Sequence, residues 1–213
     1  MVDRLRDKVV VVDLDGTLVS VNTFREFVVF AACMLLGKGK IGRVCMITGA
    51  VMARKMRLIS HSSMKKTVLR YVLPCLTDGE KGVFVNQLTK YTQSSVTKII
   101  EDCKNRGYKA ILATAAPEIY AVPFAEKLGF DDCVATSSTV DKKVRWKENV
   151  GNNKVDSVKN WIDKHNAVID IVITDHHDDI PLMKYNHQGT NYLYNPSKQT
   201  IAECRGIEYT LLT

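Results

Sequence analysis

The spacing of apolar and polar residues changes several times along the 213-residue chain. Val9-Val10-Val11-Val12 follows the charged pair Asp7-Lys8. Four β-branched residues in a row predict a short strand buried on both faces. Asp13-Leu14-Asp15-Gly16-Thr17-Leu18 ends it. Over 21–71 the spacing is helical, with an apolar run at 27–36, a Gly37-Lys38-Gly39-Lys40 turn, and a broken run at 44–47 and 50–53. The simplest arrangement is a helical hairpin that buries its faces against itself. Each run falls short of the ~20 residues of a membrane span. Pro74 and Asp78-Gly79 punctuate the segment, and 81–90 reads as one more helix.

Strands and helices then alternate. Ser94 or Ser95 is placed to cap a helix to Arg106, with Val96, Ile99, Ile100 and Cys103 at helical spacing and Asn105-Arg106-Gly107 at its end. Residues 108–114 form a second buried strand, followed by Ala115-Ala116-Pro117. A short helix at 123–129, a strand at 133–136 and a hairpin strand at 142–146 come next. Gly151-Asn152-Asn153-Lys154 opens a helix with Val155, Val158, Trp161 and Ile162 on its apolar side. The strand at 168–174 runs into Asp175-His176-His177-Asp178-Asp179. The tail offers a strand at 192–194, a turn at Asn195-Pro196, a short helix to Arg205 and an edge strand at 208–211. This alternation predicts an α/β fold with a parallel sheet.

Composition, 46% hydrophobic and 25% charged, suits one globular domain with room for an insert. The formal charge of +7 favours anionic partners. It is unevenly placed: within 21–71, Arg25, Lys38, Lys40, Arg43, Arg54, Lys55, Arg57, Lys65, Lys66 and Arg70 face a single acid, Glu26. Such residues usually form a solvated face; set over a site they would draw in anionic substrates. Nucleic acid is not expected, because stacking aromatics are not interleaved with the basic residues. Apolar runs with basic flanks also suit peripheral contact with a lipid interface. The six cysteines include no CxxC pair, which argues against a disulfide framework or zinc ribbon and for the cytoplasm. The opening MVDRLRDK lacks the apolar stretch of a signal peptide.

Candidate chemistry collects at strand ends. Asp13 and Asp15 share one side of an extended chain, and Gly16 lets the backbone turn tightly around a ligand. Two carboxylates at one strand end are tolerated when a cation neutralises one or when one stays protonated. A surface turn with an Asp-Gly pair is the competing reading. Lys154 opposes the dipole of the helix it opens, so its position needs a reason; Lys142, Lys143 and Lys147 are rivals for any role it has. Asp175 and Asp179 follow a strand four residues apart. His176 and His177 beside them could hold zinc, whereas carboxylates alone prefer a hard ion such as Mg²⁺.

Asp13-Leu14-Asp15-Gly16-Thr17 resembles the first motif of the haloacid dehalogenase superfamily in its phosphatase form. Thr114 resembles the second, Lys154 the third, and Asp175 with Asp179 and Ile180-Pro181-Leu182-Met183 the fourth, where Thr174 and His176 depart from the usual Gly and Ser. The ordered set is far more specific than any one motif. The resemblance implies a Rossmann-like core of 1–20 and 91–213 with a helical cap of 21–90 inserted after the first strand, as in the phosphoserine-phosphatase-like branch. It implies a phosphomonoesterase in which Asp13 is the nucleophile and Asp15 the general acid and base. Gly16, Thr17, Thr114, Ala115 and Lys154 would grip the phosphoryl oxygens. Mg²⁺ would be held by Asp13, the Asp15 carbonyl and Asp175, with Asp179 as ligand or support. Dehalogenases and ion-pumping ATPases of the superfamily lack an acid at the Asp15 position. Ile59-Ser60-His61-Ser62 loosely resembles bacterial phosphatidylglycerophosphate phosphatases, which leaves a lipid phosphate open beside a small soluble one. A phosphotransferase and a silent anion-binding module are the rival functions; the complete acidic set argues against the second.

Overall fold

A computed structural model describes residues 6–139 and 146–212. The valine run lies in β1 (Asp7–Val12). Val10 and Val12 enter one apolar cluster, Val9 and Val11 another, so the strand has no side to leave polar. β2 (Lys109–Pro117), β3 (Asp132–Thr136), β4 (Ala167–Thr174), β5 (Thr190–Tyr194) and β6 (Thr210–Leu212) complete a parallel sheet in the order β3-β2-β1-β4-β5-β6. The chain moves outward from β1 through β2 and β3, then returns to place β4 on the other side of β1. In open parallel sheets, ligands collect at the carboxyl ends of the strands beside such a reversal. Here those are the ends of β1 and β4.

Four helices separate β1 from the helix that leads into β2: α1 (Thr23–Gly37), α2 (Ile41–Lys55), α3 (His61–Val72) and α4 (Asp78–Leu88). Then come α5 (Ser94–Asn105), α6 (Glu118–Lys127), α7 (Asn152–Lys164), α8 (Ile180–Tyr185) and α9 (Lys198–Glu203). None of the described helices is long and apolar enough to cross a membrane. The expected self-contained hairpin is not what forms. α1 buries Phe24, Phe27, Ala31 and Leu35, and the Phe27 ring sits 5.4 Å from Phe84 of α4 and 5.1 Å from Tyr120 of α6. The apolar run is therefore shared with the face of the sheet that α6 covers.

Other boundaries differ for local reasons. Asp78-Gly79 is the first turn of α4, because Thr77 and Glu80 form a capping box: the Thr77 hydroxyl accepts the Glu80 N–H at 3.3 Å and the Glu80 carboxylate accepts the Thr77 N–H at 2.8 Å. Neither Ser94 nor Ser95 caps α5; Gln93 does, without a side-chain bond. α6 starts at Glu118 and carries Pro123 inside it; burial of Tyr120, Ala121, Phe124 and Ala125 outweighs the bond that proline cannot donate. β2 continues past Thr114 to Pro117, which pairs with Thr136. Residues 142–145 of the expected hairpin strand lie outside the described residues, and Trp146 is in no strand.

Candidate active site

β1 and β4 end side by side, and the Asp13 N–H donates to the Ile173 carbonyl at 2.9 Å. This brings Asp13 and Asp175 into one cavity of about 360 Å³, which Asp15, Gly16, Thr114, Ala115, Lys154 and Asp179 also line. Gly16 makes the approach possible. Its φ is +79°, and any Cβ there would collide with the Asp175 carboxylate. The loop closes through the Gly16 N–H to the Val19 carbonyl at 2.8 Å and the Val19 N–H to the Leu14 carbonyl at 3.0 Å. Thr17 is buried beside the cavity and is not part of its wall. Its hydroxyl donates to Asp175 Oδ1 at 3.1 Å and helps to hold that carboxylate, so the hydroxyl expected to face a phosphoryl group is committed within the protein.

Lys154 has a reason to open α7. Its buried Nζ lies 2.8 Å from Asp13 Oδ1 and 2.7 Å from Asp179 Oδ1, neutralising charge that the helix start could not. Of the rivals, Lys147 is exposed and away from the cavity, and Lys142 and Lys143 lie outside the described residues. Thr174, which replaces the usual glycine, donates its hydroxyl to Asp179 Oδ2 at 2.8 Å and fixes that carboxylate. His176 Nδ1 accepts the Asp178 N–H at 3.2 Å, and its ring lies 4.0 Å from that of His177. His176, His177 and Asp178 offer ligand atoms within 4.8 Å of one another. His176 and Asp178 line the same cavity as Asp13 and Asp175.

Asp15 turns towards α1. Its Oδ1 accepts the Thr23 N–H at 2.8 Å at the first residue of that helix, whose hydroxyl meets the Tyr120 hydroxyl at 3.2 Å. Burial pushes Asp15 above the usual carboxylate range, against the Thr23 bonds and the Lys65 charge. Burial also pushes Asp13 up to about 8; Lys154 opposes this, while Asp179 and Asp175 add to it. Asp175 is raised by burial, with the Thr17 bond opposing. Burial works against the Lys154 ammonium, yet Asp13 and Asp179 hold its pKa above the ordinary lysine value. The site thus gathers more buried negative charge than one lysine balances. Its buried carboxylates offer oxygens, the donor set of a hard divalent cation, and His176 is the nitrogen ligand on the same wall. The residues present fit Mg²⁺.

The sequence reading missed a second buried pair. Lys65 of α3, counted there among solvated basic residues, is buried and donates to the Ala115 carbonyl at 3.0 Å and to Glu148 Oε2 at 2.7 Å. Burial pushes Glu148 up, but His61, Lys65 and Ser62 outweigh it and hold the carboxyl down at about 2. Next to it, Asn149 Nδ2 donates to the carbonyls of Thr114 at 3.1 Å and Val134 at 2.9 Å. These contacts brace Thr114 and Ala115 within β2. A signal was present: Lys65 shares the inward face of α3 with Val68, Leu69 and Val72, at helical spacing.

A parallel α/β sheet with clustered acids and a buried lysine at its strand-order reversal places this cavity where such folds hold their ligands. A sequence profile of the haloacid dehalogenase-like hydrolases matches residues 10–184, and the chain belongs to that family. Among solved structures, a protein of unknown function from Bordetella pertussis Tohama I matches with a TM-score of 0.72 at 16% identity, covering 96% of this chain and 98% of that one. A probable phosphoserine phosphatase from Vibrio cholerae matches with a TM-score of 0.68 at 10% identity, over 97% of this chain and 60% of that one. A phosphoserine phosphatase solved as a phospho-aspartyl intermediate analogue matches with a TM-score of 0.58 at 16% identity, over 97% and 93%. These likenesses establish the shared fold. A search of curated proteins by sequence returned no match.

Proposed function

We propose that the chain is a Mg²⁺-dependent phosphomonoester hydrolase acting through an aspartyl-phosphate on Asp13. One observation carries the reading: Asp13 and Asp175 leave adjacent strands into one cavity, with Lys154 2.8 Å from Asp13 and Asp15 beside it. The phospho-aspartyl analogue of a phosphatase with this fold supports it. Asp13, the Asp15 carbonyl and Asp175 would hold the metal, with Asp179 as ligand or support. Bound there, Mg²⁺ supplies positive charge that keeps the carboxylates ionised and offsets that of the phosphoryl group.

Asp13 attacks phosphorus and the ester oxygen leaves. Asp15, whose pKa is raised, gives that oxygen a proton and then takes one from the water that cleaves the acyl phosphate. Lys154, Thr114 and the Ala115 backbone N–H bind the phosphoryl oxygens, while Gly16, whose N–H is held by the Val19 carbonyl, and buried Thr17 shape the loop beside them. Residues 21–90 act as a cap: Val21 and Asn22 form part of the cavity wall, and Lys65 reaches Ala115. The substrate is a small phosphorylated molecule, drawn in by the basic residues of that segment. The test is hydrolysis of an aryl phosphate with Mg²⁺. Asp13→Asn is expected to lower kcat by at least ~10³-fold; equal rates for the two proteins would overturn the assignment.

A further inference from the structure

Helix α2 turns an apolar stripe to solvent. At about 100° per residue, Ile41, Cys45, Met52 and Met56 fall within about 60° of arc. All four are exposed, and Leu58, just past the helix, is 70% exposed. The opposite side of α2 buries Ile47 and Ala50, so the stripe is a second apolar face and not the core face frayed open. Exposed Lys40, Lys55 and Arg57 border it. The chain has no acidic residue between Glu26 and Asp78.

These features select among occupants. A second copy would set the basic borders of two stripes against each other, and like charges oppose that. Protein partners are usually anchored by Trp, Tyr or well-packed Arg side chains, and the stripe holds no aromatic residue. An anionic bilayer meets both halves of the pattern: headgroup phosphates for the basic border, acyl chains for flexible methionines. The location also fits. Beyond Leu58, His61 lies 3.4 Å from Glu148, and Val150, two residues further along, lines the catalytic cavity.

We propose that α2 docks on an anionic lipid surface, with Ile41, Cys45, Met52, Met56 and Leu58 entering the interface and Lys40, Lys55 and Arg57 against the headgroups. The full chain is sedimented with phosphatidylcholine vesicles, with and without phosphatidylglycerol, at low and high salt. Binding is expected only with phosphatidylglycerol, and high salt should weaken it about tenfold. Met52→Ser with Met56→Ser, and separately Lys55→Gln with Arg57→Gln, should each weaken it about tenfold or more. Unchanged circular dichroism and melting temperature will show that these surface variants fold. The proposal is overturned if the wild type stays in the supernatant, or if both variants bind as it does. It is equally overturned if the wild type sediments as a dimer that the methionine variant splits.

Discussion

At Asp13, burial and two neighbouring acids outweigh a lysine 2.8 Å away and move the carboxyl from its ordinary 3.8 to about 8. Between those values the folded metal-free protein holds a proton that the unfolded chain has lost. Stability therefore falls as pH rises through this window, the reverse of a salt-bridged acid. A cation bound to the ionised carboxylates stabilises the folded state by mass action, and protons compete with it below pH 8. The expected outcome is that millimolar Mg²⁺ raises the melting temperature more at pH 8 than at pH 5, and that Asp175→Asn removes most of the rise. Thermal melts with chelator or with Mg²⁺ measure this without substrate. A rise of the same size at both pH values would place the metal away from Asp13.

Among the elements, those announced by their own residues were legible. β1 and β4 were visible as β-branched runs and β2 as a short apolar run, and the polar residues that end the first two, with Thr114 of the third, are the ones that meet in the cavity. The capping box of α4 is equally local, a Thr and a Glu three residues apart. What the chain could not display was contact between distant segments. Sheet order decides that β1 and β4 lie together, and no stretch of sequence states it. Lys65 and Glu148 are one ion pair across α3 and the segment before α7, yet each alone reads as an ordinary surface charge. That pair yields a prediction. Lys65→Met leaves the buried Glu148 carboxylate without its nearest cation, at a cost of about 3–5 kcal/mol. Adding Glu148→Gln should recover a large part of that loss, because the uncompensated charge goes with it. Denaturant unfolding of the two single variants and the double variant gives the coupling directly; additive losses would show that the pair does not act as a unit.

For the whole molecule, the question is whether 21–90 stands apart from the sheet. One buried cluster joins Val10, Val12, Leu112 and Ile173 of the sheet to Phe27, Leu69 and Phe84 of the intervening helices. Its aromatic centre crosses the boundary, with the Phe84 ring 5.4 Å from Phe27 and 5.2 Å from Tyr120 of α6. A side chain that packs simultaneously on the insert and on the core transmits its loss to both. Phe84→Ala is expected to cost about 3–5 kcal/mol, lowering the melting temperature by about 10 °C. More tellingly, unfolding should stay a single transition, with far- and near-ultraviolet circular dichroism coincident in the wild type and the variant. If the variant instead melts in two steps, the helices would be an independently folding cap resting on the core. Shared packing predicts that they are covalently and energetically one body with the sheet that carries Asp13 and Asp175.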